Sequence, residues 1–236
     1  MNILYFTFLL TACLSKDDTS SDTAEESILI EDSDTAEEPE NTEPTNDESL
    51  PTEDNTYHPE RSILENLDHG VPILELLSHH EETEFYGLEY QGGYIFHIDA
   101  STGLGMVVHP LPSPSPIHWQ DYEDVAISFA LGTAIGTGKS NTQNIVAGLG
   151  DYEHAAQQAH GASINGYDDW FLPSFDELHA IYERLHRSSL VTFPAESYWS
   201  SSDDNTYAWV IYFYNGNQYT PSKFHPHHYV LPVREF

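Results

Sequence analysis

The sequence predicts an α+β domain with a mainly antiparallel sheet and two to four helices, preceded by a disordered acidic tether. Three observations carry this. Strand-type runs occur near residues 94–108 and again near 198–234, with helical periodicity between them. The elements do not alternate regularly, as a parallel sheet with crossover helices would require. Composition also changes abruptly near residue 60: residues 14–60 hold 17 of the 39 acids, one lysine and one aromatic residue.

Taken from the start, Ile3 to Leu10 form an apolar run too short to span a bilayer but suited to the core of a signal peptide. Leu10-Thr11-Ala12-Cys13 follows, and this resembles a bacterial lipobox, in which the cysteine is acylated after cleavage. Cys13 is the only cysteine, so no disulfide or multi-cysteine zinc site can form within the chain. Residues 1–12 are therefore read as a lipoprotein signal peptide, Cys13 as the lipidation site, and several acyl chains on it as a stable membrane anchor. The position after the cysteine is Leu14 rather than Asp, which favours the outer membrane of a bacterial envelope.

Residues 13–60 read as the tether. They repeat Ser21-Asp22-Thr23-Ala24-Glu25-Glu26 as Ser33-Asp34-Thr35-Ala36-Glu37-Glu38 and contain too little apolar surface to offset chain entropy. Like charges extend such a segment. A calcium-buffering role is disfavoured, because scattered carboxylates lack a preorganised ligand cage.

In residues 61–236, 22 acids face six basic residues, leaving a net charge of −16 with histidine neutral. Residues 61–85 read as a helical lead-in of two apolar-faced pieces, around 62–67 and 73–77, separated at Gly70 and Pro72. Tyr94 to Ile98 and Leu104 to Val108 suggest a hairpin turning at Ser101-Thr102-Gly103. A helix is expected from Asp121 to Leu131. Another should open at a capping box, Ser140 to Gln143. A third should be capped by Asp151, with Tyr152, Ala155, Ala156 and Ala159 on one face. The clearest helix has Ser174 as N-cap and Glu177 three residues on, with Phe175, Leu178, Tyr182 and Leu185 as its stripe. Strands return at Tyr198 to Ser201, Tyr207 to Phe213, Gln218 to Thr220 and Tyr229 to Arg234, with a tight turn at Asn215-Gly216.

Charge excludes one large class of function. With Lys and Arg totalling 7 against 39 Asp and Glu, the chain lacks the cations that dominate nucleic-acid affinity. Gly136-Thr137-Gly138-Lys139-Ser140 is not a phosphate loop, since Thr133 stands where that motif needs glycine. Ser200, Ser201 and Ser202 lack the flanking glycines of a nucleophile elbow. Asp168-Asp169 and Asp203-Asp204 are adjacent pairs that a strand would point to opposite faces. His179, Glu183 and His186 share a helical face already used for packing.

Tyr90 to Phe96, Ile135 to Thr142, Asn165 to Ser174 with Asp176-Glu177-Leu178, Tyr198 to Ser202, Ala208-Trp209 and Tyr229 to Arg234 resemble, in order, the signatures of the Lcl C-terminal domain family. This bacterial family is named after a collagen-like adhesin of Legionella and is related to the Fibrobacter succinogenes major paralogous domain. The resemblance spans residues 86–236 and implies a C-type-lectin-like fold on secreted or surface proteins, with adhesion to glycans. Three departures bear on function. The negative charge does not suit sulfated polysaccharides. The Glu-Pro-Asn, Gln-Pro-Asp and Trp-Asn-Asp tripeptides of calcium-dependent sugar sites are absent. The cysteines on which formylglycine-generating enzymes of the same fold depend are also absent from the folded part.

Within the matched motifs, Trp170, Leu172, Leu178, Trp199, Trp209, Ile211 and Val233 read as core, and Arg234 as a partner for a carboxylate such as Asp169. Specificity is expected on the loops between them. Candidate ligand-binding residues are Asp203, Asp204, Asn205, Tyr214, Asn217 and Tyr219, since rings flanked by amides and carboxylates suit sugar faces. Pairing of the late strands should bring Asp203, Asp204, Tyr214 and Tyr219 onto one surface. His225, His227 and His228 are the candidate metal ligands. No cofactor is otherwise required, and Ca²⁺ or Zn²⁺ is the alternative this loop leaves open. The expected protein is a non-catalytic surface module that binds an extracellular glycan or protein and touches the membrane only through its lipid, with a homo-oligomer as an open alternative. The competing readings are a metal-dependent or hydrolytic enzyme on the same fold and a structural envelope lipoprotein.

Overall fold

A computed structural model of the chain describes residues 55–121, 132–204, 206–224 and 227–236. Cys13, Asn205, His225 and most of the helix expected from Asp121 to Leu131 lie outside the described residues.

The lead-in forms α1 (Ile63–Asp68) and α2 (Ile73–Leu76). Ser62 and Glu65 close a reciprocal capping box on α1, which satisfies backbone donors that the first turn leaves open. Packing reaches further back than residue 61. The Tyr57 ring stacks on His79 at 3.9 Å, and buried Asn66 accepts from the His58 N–H at 3.0 Å. The body therefore includes residues that acidity and low apolar content assign to the linker.

Strands β1 (Glu89–Tyr90), β2 (Gly93–Ile98), β3 (Gly105–Val108) and β7 (Val233–Glu235) make one antiparallel sheet in the order β1-β2-β3-β7. The expected hairpin is β2–β3. A second antiparallel sheet has the order β4-β5-β6, from β4 (Ser197–Asp203), β5 (Ala208–Tyr212) and β6 (Asn217–Tyr219).

Helices α3 (Gly138–Leu149), α4 (Ala155–His160) and α5 (Phe175–Ile181) complete the domain among the described residues. Two of their starts differ from expectation. Ser140 lies inside the first turn of α3, where its hydroxyl donates to the Thr137 carbonyl at 2.9 Å, so it caps nothing. His154, not Asp151, caps α4: its ring Nδ1 accepts from the Gln157 N–H at 3.2 Å. The Ala155 N–H meanwhile donates to the His118 carbonyl at 2.9 Å, which pins the helix start in place. The Ser174–Glu177 capping box on α5 is present as expected, and that helix runs on into a π turn, Tyr182–His186.

Both sheets are packed on both faces, except that β6 stays exposed at the edge of the second. Ile95, Ile98 and Val107 pack on the lead-in through Leu76 and Phe85. Phe96, Met106, Val108 and Val233 meet Leu178, Ile181 and Leu185 of the α5 region and Tyr198, Ile211 and Phe213 of the second sheet. The other face of the second sheet, Trp199, Ala208 and Val210, packs on Ile145, Ala155, Ala156 and Ala159 of α3 and α4. Of the seven residues read as core, six are buried and Trp209 is half-buried, its ring 4.8 Å from that of Phe175.

Candidate functional site

Strand register decides which loop residues can act together. Ser197 pairs with Tyr212 and Tyr212 with Asn217; one step along the same face, Trp199 pairs with Val210 and Val210 with Tyr219. Paired residues and their i±2 neighbours share a face. α3 and α4 cover Trp199 and Val210, while Tyr219 and Asn217 stay exposed at the β6 edge.

The turn after β5 adds to this surface. Four residues, Phe213 to Gly216, separate the paired Tyr212 and Asn217, so the turn is wider than the two-residue type expected. Phe213 is buried in the core and Tyr214 is 72% exposed, so anchoring one ring thrusts the other outward. The Gly216 N–H closes the turn on the Tyr212 carbonyl at 2.8 Å. Gly216 has φ +75°, and a Cβ there would sit 2.6 Å from the Tyr182 ring, so both conformation and space demand glycine. The Tyr212 and Tyr214 rings lie 5.8 Å apart, tilted by 30°, and the Tyr219 hydroxyl bonds to Ser197 Oγ at 2.8 Å. The result is an outward-facing tyrosine surface with an amide, Asn217, at its edge.

Tyr214, Asn217 and Tyr219 thus come together, and Tyr212 and Ser197 join them. Neither of these two stands out in sequence. Tyr212 reads as one more strand residue, and Ser197 is brought in only by register. Asp203 and Asp204 do not join the group. Asp203 pairs with Ala208 at the end of β5 opposite Tyr212, and four residue steps at ~3.4 Å place the two ends about 14 Å apart. The expected single surface is corrected accordingly.

Asp203 is also no surface ligand. It is buried, and its carboxylate bonds to the Nζ of Lys223, which is 1% exposed. The Trp119 ring covers that Nζ at 4.3 Å. Asp204 is exposed, and its Oδ1 accepts from the Tyr207 N–H at 2.8 Å, closing the β4–β5 loop on itself.

His227 is exposed, whereas His228 is buried with its ring edge-on to Trp199 at 4.4 Å and to Tyr219 at 5.8 Å. His228 therefore backs the tyrosine surface. Among the described residues no group of three or more His, Cys, Asp or Glu side chains is placed to hold a metal ion.

The other tempting motifs serve the fold. The glycine loop holds an internal anion: N–H groups of Gly136 and Gly138 donate to Glu177 Oε1 at 2.7 and 3.2 Å, and that of Ser174 donates to Oε2 at 2.8 Å. Burial pushes the Glu177 carboxyl up to about 7 against the pull of these donors. A Cβ at Gly138 would lie 2.2 Å from Oε2, so that glycine admits the carboxylate.

The three serines are buried. The Ser200, Ser201 and Ser202 hydroxyls donate to the carbonyls of Trp209, Pro173 and Gly132 at 3.0, 3.1 and 2.6 Å. The expected Arg234–Asp169 pair is bidentate, with Nε–Oδ1 at 2.6 Å and Nη2–Oδ2 at 3.0 Å, and it holds the Asp169 carboxyl below its ordinary range. The face shared by His179, Glu183 and His186 breaks up: His179 Nε2 lies 3.9 Å from Glu183, while His186 Nδ1 accepts from the Phe193 N–H at 3.2 Å.

Fold and surfaces together define an α+β domain of two antiparallel sheets, with a buried scaffold of motif residues and an exposed aromatic face. The Lcl C-terminal domain family matches residues 114–234, more than half of the 236-residue chain, and the chain belongs to that family. No curated protein matches it.

Proposed function

We propose that this protein is a surface-held, non-catalytic binding module that recognises an extracellular glycan or protein through its tyrosine face. The observation that carries the reading is the outward display of Tyr214 and Tyr219, with half-buried Tyr212 and exposed Asn217 beside them at the sheet end. Tyrosine offers a large apolar face with a polar tip at low entropic cost, which suits stacking on sugar rings and docking against proteins alike. Rings backed by a packed sheet also lose little freedom on binding. In this reading Cys13 carries the lipid anchor, the acidic segment holds the domain away from the outer membrane, and the tyrosine face points to the exterior.

The test is a glycan and protein array probed with the Cys13→Ser chain, followed by the same chain with Tyr214→Ala or Tyr219→Ala. Each tyrosine truncation should weaken binding by about 1–2 kcal/mol, roughly 5- to 30-fold, with an unchanged melting temperature. Undiminished binding by the doubly truncated chain would move the site elsewhere. Cys13→Ser should also abolish labelling by a fatty-acid analogue and release the protein from the membrane fraction.

A further inference from the structure

Residues 109–116 read His-Pro-Leu-Pro-Ser-Pro-Ser-Pro, so each is a proline or the residue before one. Proline fixes its own φ near about −65° and drives its predecessor out of the helical region, which holds the whole run extended. The fold ties this strap down at every fourth residue. The N–H groups of His109, Ser113 and Ile117 donate to the carbonyls of Pro232, Val230 and His228 at 3.0, 2.8 and 2.9 Å, and Ser113 Oγ accepts from the Val230 N–H at 3.0 Å. Between the ties Leu111 is 66% exposed, and Pro114, Ser115 and Pro116 are exposed as well.

Beside the strap lies a cleft of about 300 Å³, walled in part by Leu111, Pro112, Pro114, Gln158, Ile164 and Pro232. It shares no residue with the tyrosine face. At ~30 Å³ per water it has room for about ten waters, the scale of one two-ring side chain. Its walls are within reach of a ligand, because Leu111 and Pro114 are exposed and Pro112, Gln158 and Ile164 only half-buried. No Lys, Arg, Asp or Glu lines it.

The chemistry of the strap narrows the occupant. A proline keeps its carbonyl acceptor but has no N–H, and among the described residues nothing donates to the carbonyls of Pro110, Pro112, Pro114 or Pro116. Gln158 Oε1 has no partner either. The cleft therefore suits an apolar body that carries a donor. Tryptophan joins the largest apolar side-chain face to an N–H, and aromatic rings are what extended proline runs dock against. Charge selects the neighbours of that ring. Residues 61–236 carry a net −16 with histidine neutral, so a segment with Lys or Arg beside the ring is drawn in and an acidic one is repelled.

We propose that this cleft docks a tryptophan side chain from a basic segment of a partner protein, at a surface separate from the tyrosine face and independent of the reading given for it. The indole ring packs on Leu111, Pro112 and Ile164, and its N–H donates to the acceptors of the strap.

The probe is a capped Lys-Trp-Lys tripeptide, titrated into the ¹⁵N-labelled Cys13→Ser chain and followed by NMR. It should shift the Gln158 side-chain amide and the backbone N–H groups of Leu111 and Ile164 saturably. Leucine in place of the tryptophan should weaken binding about tenfold, and 1-methyltryptophan, which lacks the donor, about fivefold. A capped Glu-Trp-Glu tripeptide should bind more weakly still than Lys-Trp-Lys. Leu111→Ala with Pro114→Ala, both at exposed positions, should abolish the Gln158 shift at an unchanged melting temperature, whereas Tyr214→Ala with Tyr219→Ala should leave it intact. The proposal is overturned if Lys-Trp-Lys gives no saturable shift at these groups, if the leucine, methylated or acidic peptide binds as tightly, or if the Gln158 shift survives in the folded Leu111→Ala, Pro114→Ala chain. Shifts at Leu111 and Ile164 that grow with chain concentration alone would overturn it in favour of a second copy of the chain. The peptide comparisons stand without any variant, and failure of the tyrosine variants on the array leaves them untouched, so the two readings fall separately.

Discussion

Asp203 shows how a single residue changes meaning once its surroundings are known. In sequence it is half of an acidic pair after a serine run, which suggests a solvated loop. In the fold it is the buried partner of Lys223, under Trp119. Removing one member of a buried ion pair leaves an uncompensated charge, so Asp203→Asn or Lys223→Met alone should cost about 3–5 kcal/mol of stability. The double change Asp203→Leu with Lys223→Met should recover much of that loss, because apolar replacement of a buried pair is often near neutral. Chemical denaturation of the three variants measures both. Additive losses in the double variant would mean that the two side chains do not act as a pair. Asp204, one residue later, should tolerate Ala with only a small loss from its loop bond. Nothing in the local sequence separates these two aspartates; the partner that distinguishes them stands 20 residues away.

At the scale of elements, α4 carries its own acid sensitivity. Burial holds the His154 ring down at about 4, and its Nδ1 must stay unprotonated to accept from the Gln157 N–H. A histidine whose pKa is lowered by folding contributes stability that is present above its unfolded value near 6.5 and is lost as pH falls toward 4. His154→Asn keeps a good cap and removes the titration. The melting temperature of the parent should therefore fall more steeply than that of His154→Asn between pH 6.5 and 4, and parallel curves would refute the role assigned to this ring.

The helix starts also show what was legible in the sequence. That of α5 was, because its capping box lies within four residues, whereas α1 was read from its apolar face and its Ser62–Glu65 box emerges from the structure. The start of α3 was not, because its first turn is shaped by Glu177, 39 residues from Gly138. That of α4 was not, because a buried histidine can cap where the exposed Asp151 does not. Strand existence followed from composition. Register did not, and register is what gathers Ser197, Tyr212, Asn217 and Tyr219 while holding Asp204 at the other end of the sheet.

Over the whole molecule, charge separates candidate ligands more sharply than any one contact. Residues 61–236 carry a net −16 with histidine neutral, and 13 of the chain's 14 histidines lie among them. A polyanion meets repulsion over such a surface at neutral pH, and salt only partly screens it. His97, His154 and His186 add no positive charge to offset it at neutral pH, because burial holds each below its ordinary value. Immobilised heparin should therefore fail to retain the Cys13→Ser chain at pH 7.5 in physiological salt. Binding to the tyrosine face should depend little on salt, since ring stacking needs no charge. Firm heparin retention at pH 7.5 would show that a local basic surface outweighs the acidic field. Lys139 and Arg234 would then be the first residues to test, although each already has a carboxylate partner, Glu235 and Asp169.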